Sequence, residues 1–471
     1  MTRDEICFLP ATEMLDRISR QDVPSSEIVE AIIERIEKIN PIVNAYCTPT
    51  FDLAREQARQ ADERVEHNED KIPLLNGVPV SIKDMFNVAG VRTTWGSLIE
   101  ANNIPMEDDV PTSRLRAAGC AFLGKTNMCE FGALGVTKNL IFGETKNPWN
   151  LDRTCGGSSG GAGVAVAAGL GPLALGADGG GSIRHPATMC GVVGFKATLG
   201  RVPYWPRRGM AGDTTTHVGP LTRTVTDAAL MLDALKGNHL MDRYSLPDDP
   251  VSYASNVNKH PDHLVIGFTT DFGNVKAIEP EVEHAFLDSV EKLEQFGWDV
   301  HPAIVKVKSP EDSFSIIYPS LFAYDLKSKL KEWADKMDPD VVRLVGGEWF
   351  SAFDFIKALD RQRKFYDAML AHFKEFDLLA TPTIATTAFE LGKMFPMEIN
   401  GIKISPTGWM PYTYPFNMTG QPAITVPCGF DRDGLPIGMQ IIGKRFDDLI
   451  VLQAAHAFEE AAPWHDKRPS L

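Results

Sequence analysis

Cysteine, positive charge and long apolar runs are all scarce in this sequence, and each shortage removes a class of protein. The seven cysteines (Cys7, Cys47, Cys120, Cys129, Cys155, Cys190 and Cys428) are scattered over 471 residues with no CxxC pair. An odd number at wide spacing argues against a disulfide framework and against a zinc cluster. Free thiols are the expectation, and with them a reducing, cytoplasmic location. Lys and Arg number 47 against 62 Asp and Glu, a net charge of −15. A nucleic-acid-binding surface needs clustered basic residues, so that class is disfavoured. A long uncharged stretch, residues 154–177, opens its motif with GGSSGG and contains Pro172. Its apolar part, residues 162–177, is shorter than the roughly 18 apolar residues of a membrane helix. The N-terminal residues MTRDEICFLPATEMLDRISR carry charge throughout and lack the apolar core of a signal peptide. Linkers, low-complexity tracts and internal repeats are missing too. A length prior of roughly 150 residues per domain would divide the chain into about three. With no boundary to place, one domain over residues 1–471 is expected.

What is present is an alternation of helical and strand patterns. Pro24-Ser25 opens an amphipathic helix with Ile28, Val29, Ile32, Ile33, Ile36 and Ile39 on one face, and Ser25 is the expected N-cap. A second helix follows at residues 51–65. Residues 77–83 read as a short buried strand ending at a lysine. Residues 114–118 read as a helix end closed by Gly119, and 120–123 as a strand. Residues 160–170 form a helix of small side chains, and 173–176 another buried strand. Strand 264–268, helix 280–296, Gly297 and a strand near Val300 form a βαβ unit, which requires parallel pairing. Residues 310–370 are helical, and 423–427 and 437–442 are late strands. Such alternation indicates an α/β/α fold.

Two motifs mislead. Gly119-Cys-Ala-Phe-Leu-Gly124-Lys125-Thr126 fits the P-loop pattern, which needs a strand, then a flexible loop, then a helix. Here the middle residues are apolar and strand-like, so Lys125 is read as a structural lysine at a strand end. Gly157-Ser-Ser159-Gly-Gly161 fits the nucleophile elbow GxSxG, which needs a strand running into it. Residues 150–155 are polar loop instead. His217, His239 and His456 lie downstream, but nothing around any of them marks a base.

Three segments carry the chemistry: Gly77-Val-Pro-Val-Ser-Ile-Lys83-Asp84, Gly156-Gly-Ser158-Ser159-Gly-Gly161 and Asp178-Gly-Gly-Gly-Ser182-Ile-Arg184. Eleven of the 39 glycines fall between Gly156 and Gly181. Three glycines before a serine let backbone approach a ligand closely. Successive N–H groups in such a turn form an anion nest. A nucleophile beside oxyanion donors is what acyl transfer requires. Ser158 stands at the start of a helix, where N–H groups are unpaired and the dipole is positive. A lysine held in apolar surroundings loses its proton easily and serves as a base. Strand alternation points Asp84 away from Lys83.

In this order the segments resemble the amidase signature family of serine hydrolases. Residues 156–184, GGSSGGAGVAVAAGLGPLALGADGGGSIR, are similar to the signature itself, with its 24-residue spacing from Ser158 to Ser182. The likeness extends to Asn44-Ala45, residues 124–131, Asn147-Pro-Trp149, and residues 191–196, 219–225, 420–427 and 438–443. It implies one large α/β/α domain around a central mixed, mostly parallel twisted sheet with helices on both faces. The catalytic core would span residues 70–230 and a variable pocket region residues 310–415. It implies Ser182 as nucleophile, Ser158 as a bridging serine in a cis peptide, and Lys83 as neutral base. Gly179, Gly180, Gly181 and Ser182 would supply the oxyanion N–H groups. Asp178 and Arg184 would brace the turn. No metal and no cofactor is implied for the reaction. Gly179 departs from the family, where Thr or Ile is frequent.

The family hydrolyses carboxamide C–N bonds, so an amidase acting on small aryl or hydrophobic amides is expected. Alternatives on the same machinery are a carbamate- or ester-preferring hydrolase and the glutamine-hydrolysing subunit of a tRNA-dependent amidotransferase. His185, Phe131 and Trp205 are the candidate substrate contacts. Trp95, Phe142 and Tyr204 lie near the motifs. Phe314, Tyr318, Phe322, Tyr324, Trp349 and Trp409 are candidates for a lid or pocket wall. The expected partner is a small-molecule amide, not nucleic acid or membrane, and a homodimer is the assembly considered.

Overall fold

Ile28, Ile32, Ile33, Ile36 and Ile39, at helical spacing, place one face of Ser25–Val43 in the core, and all five are buried. Pro24, not Ser25, is its N-cap residue. The first N–H groups are met from a neighbouring helix, by the Asp62 carboxylate at 2.6 and 3.0 Å, which frees the Ser25 hydroxyl to bond the Gly77 carbonyl. The structure is a computed structural model that describes residues 1–207, 213–273, 275–305, 307–347 and 350–471.

Thirteen strands are described. In chain order they are β1 (Tyr46–Pro49), β2 (Pro79–Lys83), β3 (Ala121–Thr126), β4 (Leu173–Asp178), β5 (Val193–Lys196), β6 (His217–Thr222), β7 (Val265–Phe268), β8 (Asp299–Pro302), β9 (Leu378–Pro382), β10 (Glu398–Ile399), β11 (Ile402–Lys403), β12 (Ala423–Phe430) and β13 (Pro436–Gly443). Eleven form one mixed sheet in the order β1-β3-β2-β4-β6-β5-β12-β13-β9-β7-β8, and β10 pairs β11 separately.

Alternate residues of the strands face opposite helical layers. Leu173, Leu175 and Ala177 of β4 pack on the side of helices Val225–Leu235, Pro280–Val290 and Asp448–Ala461. Ala174 packs on the other side, with Ser25–Val43 and the small-residue helix Gly160–Ala167. Leu379 and Ile442 continue that second face against Phe365 and Met369 of helix Ala352–His372.

The expected majority of parallel pairs is corrected. Four pairings in the large sheet are parallel, β2 with β3 and β4, and β7 with β8 and β9. The other six are antiparallel. The βαβ unit at β7–β8 is parallel as the pattern required. β12 and β13, however, are joined by the short turn at residues 431–435, and a hairpin must pair antiparallel. Inserted between β5 and β9, it joins two parallel flanks through an antiparallel centre.

The P-loop-like run also resolves here. Its residues 121–126 are β3 itself, and Lys125 is buried between the Asp84 carboxylate at 3.3 Å, the Phe86 carbonyl and Thr93 Oγ1. Asp84 is thereby turned from Lys83 toward Lys125 and Thr94.

Candidate active site

β2 and β4 are adjacent and parallel, so their C-terminal ends emerge side by side. In open α/β sheets that edge is where ligands bind. β2 ends at Lys83, and β4 ends at Asp178, directly before the glycine turn. Ser158 reaches the same point from the loop before helix Gly160–Ala167, after a cis Gly157–Ser158 peptide. Glycine at 157 is a requirement of packing, since a Cβ there would lie 2.5 Å from the Val136 backbone.

Lys83 Nζ donates to Ser158 Oγ at 2.7 Å and lies 3.4 Å from the Ala177 carbonyl. Lys83 is 1% exposed, and burial pulls its pKa down to about 8. A lysine so placed holds a useful neutral fraction near neutral pH. Lys83, Ser158 and Ser182 all line one pocket of about 270 Å³. Among the described residues Ser182 Oγ has no hydrogen bond, so the Ser158–Ser182 link is open in this state. Links of this kind commonly close only around substrate. Ser159, the elbow serine, is fully buried against β4, with its hydroxyl 3.2 Å from the Ala177 carbonyl. It faces the sheet, not the pocket.

The glycine turn is braced from below. Arg184 is completely buried and grips both oxygens of Asp178, Nε to Oδ2 at 2.9 Å and Nη2 to Oδ1 at 3.0 Å. Its remaining donors reach Gln440 Oε1, the Thr413 carbonyl and Asn417 Oδ1. Burial pushes the Asp178 carboxyl up, but the Arg184 charge and the Asn417 amide outweigh it, leaving the group well below the usual carboxylate range. Asp178 Oδ1 accepts the Gly181 N–H at 2.6 Å. The same peptide's carbonyl, on Gly180, accepts from Thr413 Oγ1 at 2.9 Å. The Gly180–Gly181 peptide is therefore anchored at both ends. Gly181 N–H is committed, while those of Gly179, Gly180 and Ser182 have no partner among the described residues.

The three expected substrate contacts separate. Phe131 lines the pocket. His185 does not: its ring stands behind the turn, Nε2 2.8 Å from Thr413 Oγ1 and packed on Trp409 at 4.7 Å. Helix Arg184–Cys190 begins after Ser182 and seats residue 185 against Thr413 and Trp409. A Cβ on Gly181 would fall 2.0 Å from His185 Nε2, so glycine is needed there, at φ +136°. Burial lowers the imidazole pKa to about 3, so the ring is neutral. Trp205 is 38% exposed and lies outside this pocket, next to a cis bond to Pro206. Tyr318 and Phe322 are pocket wall as expected. Tyr324 is exposed, Trp409 is behind His185, and Trp349 lies outside the described residues. Trp95 and Tyr204 are core.

Met85, Gly132 and Thr216 also line the pocket and were not anticipated. Met85 alone carried a local signal, two residues beyond Lys83. Thr216 and Gly132 come from distant segments. Tyr318 Oη donates to the Gly132 carbonyl at 3.2 Å, closing the wall over the glycine turn. A larger cavity of about 1140 Å³ lies between the chain termini, lined by Phe8, Trp149, Arg223 and Trp464, and none of the three motif residues reaches it.

A lysine and two serines gathered on one pocket of a mixed sheet suit an amide hydrolase of the amidase type. The model of the Amidase family matches residues 27–452, and the chain belongs to the amidase signature family. The chain is similar to an acylamidase of Rhodococcus erythropolis, 38% identical across 100% of this chain and 99% of that one. It is also similar to a glutamyl-tRNA(Gln) amidotransferase subunit of Moorella thermoacetica, 37% identical across 99% of both. A crystal structure of a bacterial aryl acylamidase of the amidase signature family superposes with a TM-score of 0.90, at 31% identity over 97% of each chain. The protein is an amidohydrolase. No helix among the described residues is long and apolar enough to cross a membrane.

Proposed function

We propose that this protein hydrolyses small aryl or hydrophobic carboxamides through an acyl-enzyme on Ser182. The observation that carries the reading is the 2.7 Å bond from buried Lys83 to Ser158, with Ser182 on the same pocket wall. Ser182 Oγ attacks the carbonyl carbon. Its proton passes to Ser158, and the Ser158 proton passes to neutral Lys83. The N–H groups of Gly179, Gly180 and Ser182 receive the developing oxyanion. Gly181, expected to share that role, instead fixes the turn through Asp178. As the C–N bond breaks, the proton returns from Lys83 through Ser158 to the leaving nitrogen. Water then attacks the ester, giving its proton to the same relay, and Ser182 is regenerated. We place this machinery in a core at residues 70–230, with Tyr318 and Phe322 in a pocket region at residues 310–415.

The aryl preference rests on the wall of Met85, Phe131, Tyr318 and Phe322, and it agrees with the acylamidase relatives. The amidotransferase relative motivates a second reading, glutamine hydrolysis within a larger assembly. Glutamine would bring a charged α-carboxylate and ammonium against that apolar wall, which is why it ranks second. Comparing kcat/KM for a matched anilide, carbamate and ester, with glutamine as a fourth substrate, tests the choice. The anilide should be turned over with release of free aniline. Ammonia from glutamine, with no turnover of the anilide, would overturn the reading; faster carbamate cleavage would move it to the third class. The unpaired thiols fit a cytoplasmic location. For the homodimer, light scattering should give twice the 51.8 kDa chain mass.

A further inference from the structure

Away from the pocket, two imidazoles and a carboxylate converge on the C-terminal helix Asp448–Ala461. His456 and Glu460 stand one turn apart on it, and His260 comes from the segment before β7. His260 Nε2 lies 3.0 Å from His456 Nδ1. Glu460 Oε2 is 3.8 Å from the first nitrogen, and Glu460 Oε1 is 3.9 Å from the second. Ligands at about 2.0–2.1 Å around a tetrahedral zinc ion stand roughly 3.3 Å apart. The two carboxylate distances are to different oxygens; one oxygen and the two nitrogens all lie within 4.8 Å of one another, so side-chain rotations that close that span would place all three atoms on one ion.

We propose that His260, His456 and Glu460 form a non-catalytic site for a borderline divalent transition metal of the zinc class. Two neutral imidazoles and one carboxylate suit Zn²⁺, Co²⁺, Ni²⁺ or Cu²⁺, and do not suit Ca²⁺ or Mg²⁺, which take oxygen ligands. The frame is preorganised. Gln453 Nε2, one turn before His456, bonds the carbonyls of Asn256 and Lys259 at 2.9 and 2.6 Å. Trp298 Nε1 bonds the Pro261 carbonyl at 3.0 Å on the other side. The edge of Phe296 packs on the His260 ring with centroids 5.4 Å apart. His260 is thus held from both flanks and from its face. The two histidine side chains are 19% and 14% exposed and Glu460 is 54% exposed, so water would complete the coordination shell from the solvent side. The N–H···N bond now joining the rings occupies the nitrogen lone pair that a metal needs. Binding breaks it: the accepting ring keeps its proton on its other nitrogen, and the donating ring shifts its proton to its own other nitrogen. The bound ion would clamp the segment around residue 260 to the last helix.

The test is calorimetric titration of chelator-treated full-length protein with ZnCl2, together with Co²⁺ absorption in the visible region. One site per chain is expected, with a higher Tm in Zn²⁺ than in EDTA and visible bands of four- or five-coordinate cobalt. His456→Gln and, separately, His260→Asn should each weaken that binding by more than about tenfold. Both should keep the wild-type Tm in EDTA, which shows that the fold is intact. Binding of unchanged strength in both variants would place the ion elsewhere, on the free thiols for instance, and would overturn the proposal. So would the absence of saturable binding to the wild type.

Discussion

At the scale of single residues, the site turns on who holds which proton. Burial depresses Lys83 from 10.5 to about 8, so the folded state favours the neutral amine that the relay needs. Below pH 8 the rate should climb about tenfold per pH unit and level off above it, as a single deprotonation requires. A profile flat from pH 6 to 9 would contradict this base. Between about 8 and 10.5 the unfolded chain binds more protons, so burying Lys83 costs stability at pH 7 and the cost fades as pH rises. Thr413 works at one remove. Its hydroxyl lies 2.8 Å from His185 Nε2 and donates to the Gly180 carbonyl, fixing the peptide between two oxyanion donors. Thr413→Val should lower kcat by about 10- to 100-fold with KM little changed, as a small misplacement of donors does, and Thr413→Ser should restore most of it. Equal losses in both variants would refute the hydroxyl's part. Lys83, Ser158 and Ser182 were picked out because their three motifs, taken together and in order, resemble those of one family, while each motif alone reads as an ordinary turn or strand end. His185 misled because closeness in sequence to Ser182 is not closeness to the pocket, once a helix begins at Arg184.

At the scale of elements, helix Glu311–Trp333 presses directly on the glycine turn. A Cβ on Gly180 would meet Phe314 Cζ at 2.9 Å, and one on Gly179 would meet Thr216 and Tyr318 at 3.2 and 3.3 Å. Phe314 cannot yield easily, being stacked between Tyr318 and Tyr414 at 4.9 and 4.8 Å. Gly180→Ala should therefore cost about 1–3 kcal/mol of stability and most of the activity. Adding Phe314→Leu should recover part of both, read by urea unfolding and anilide turnover. Failure to recover either would mean that the strain lies in the backbone instead. Glycines grouped in the motif looked like room for a ligand. Several of them serve closeness between protein segments: Gly157 against Val136, Gly160 against Thr137, Gly161 against Asn127. Local pattern found the strands and helices. It could not find Thr216 or Gly132 in the wall, because they meet Ser182 only through tertiary packing.

At the scale of the whole molecule, Arg184 ties the turn to the rest of the chain. Its contacts on Asp178, Thr413, Asn417 and Gln440 join β4 to β13 and to the segment before β12. Arg184→Met strands a buried carboxylate and should cost about 3–5 kcal/mol, seen as a lower urea midpoint, while Arg184→Met/Asp178→Asn should recover a measurable part. The antiparallel centre of the sheet is what places these partners beneath the turn, and sequence order alone did not disclose it. Every level leads to one claim, that Ser182 carries the acyl group. Intact-protein mass spectrometry after acid quench, with an aryl amide or the activated ester of the same acid, reads it directly. The predicted result is a gain of one acyl mass, mapped to the peptide holding Ser182 and lost in Ser182→Ala. An adduct on Ser159, or undiminished turnover by Ser182→Ala, would contradict it.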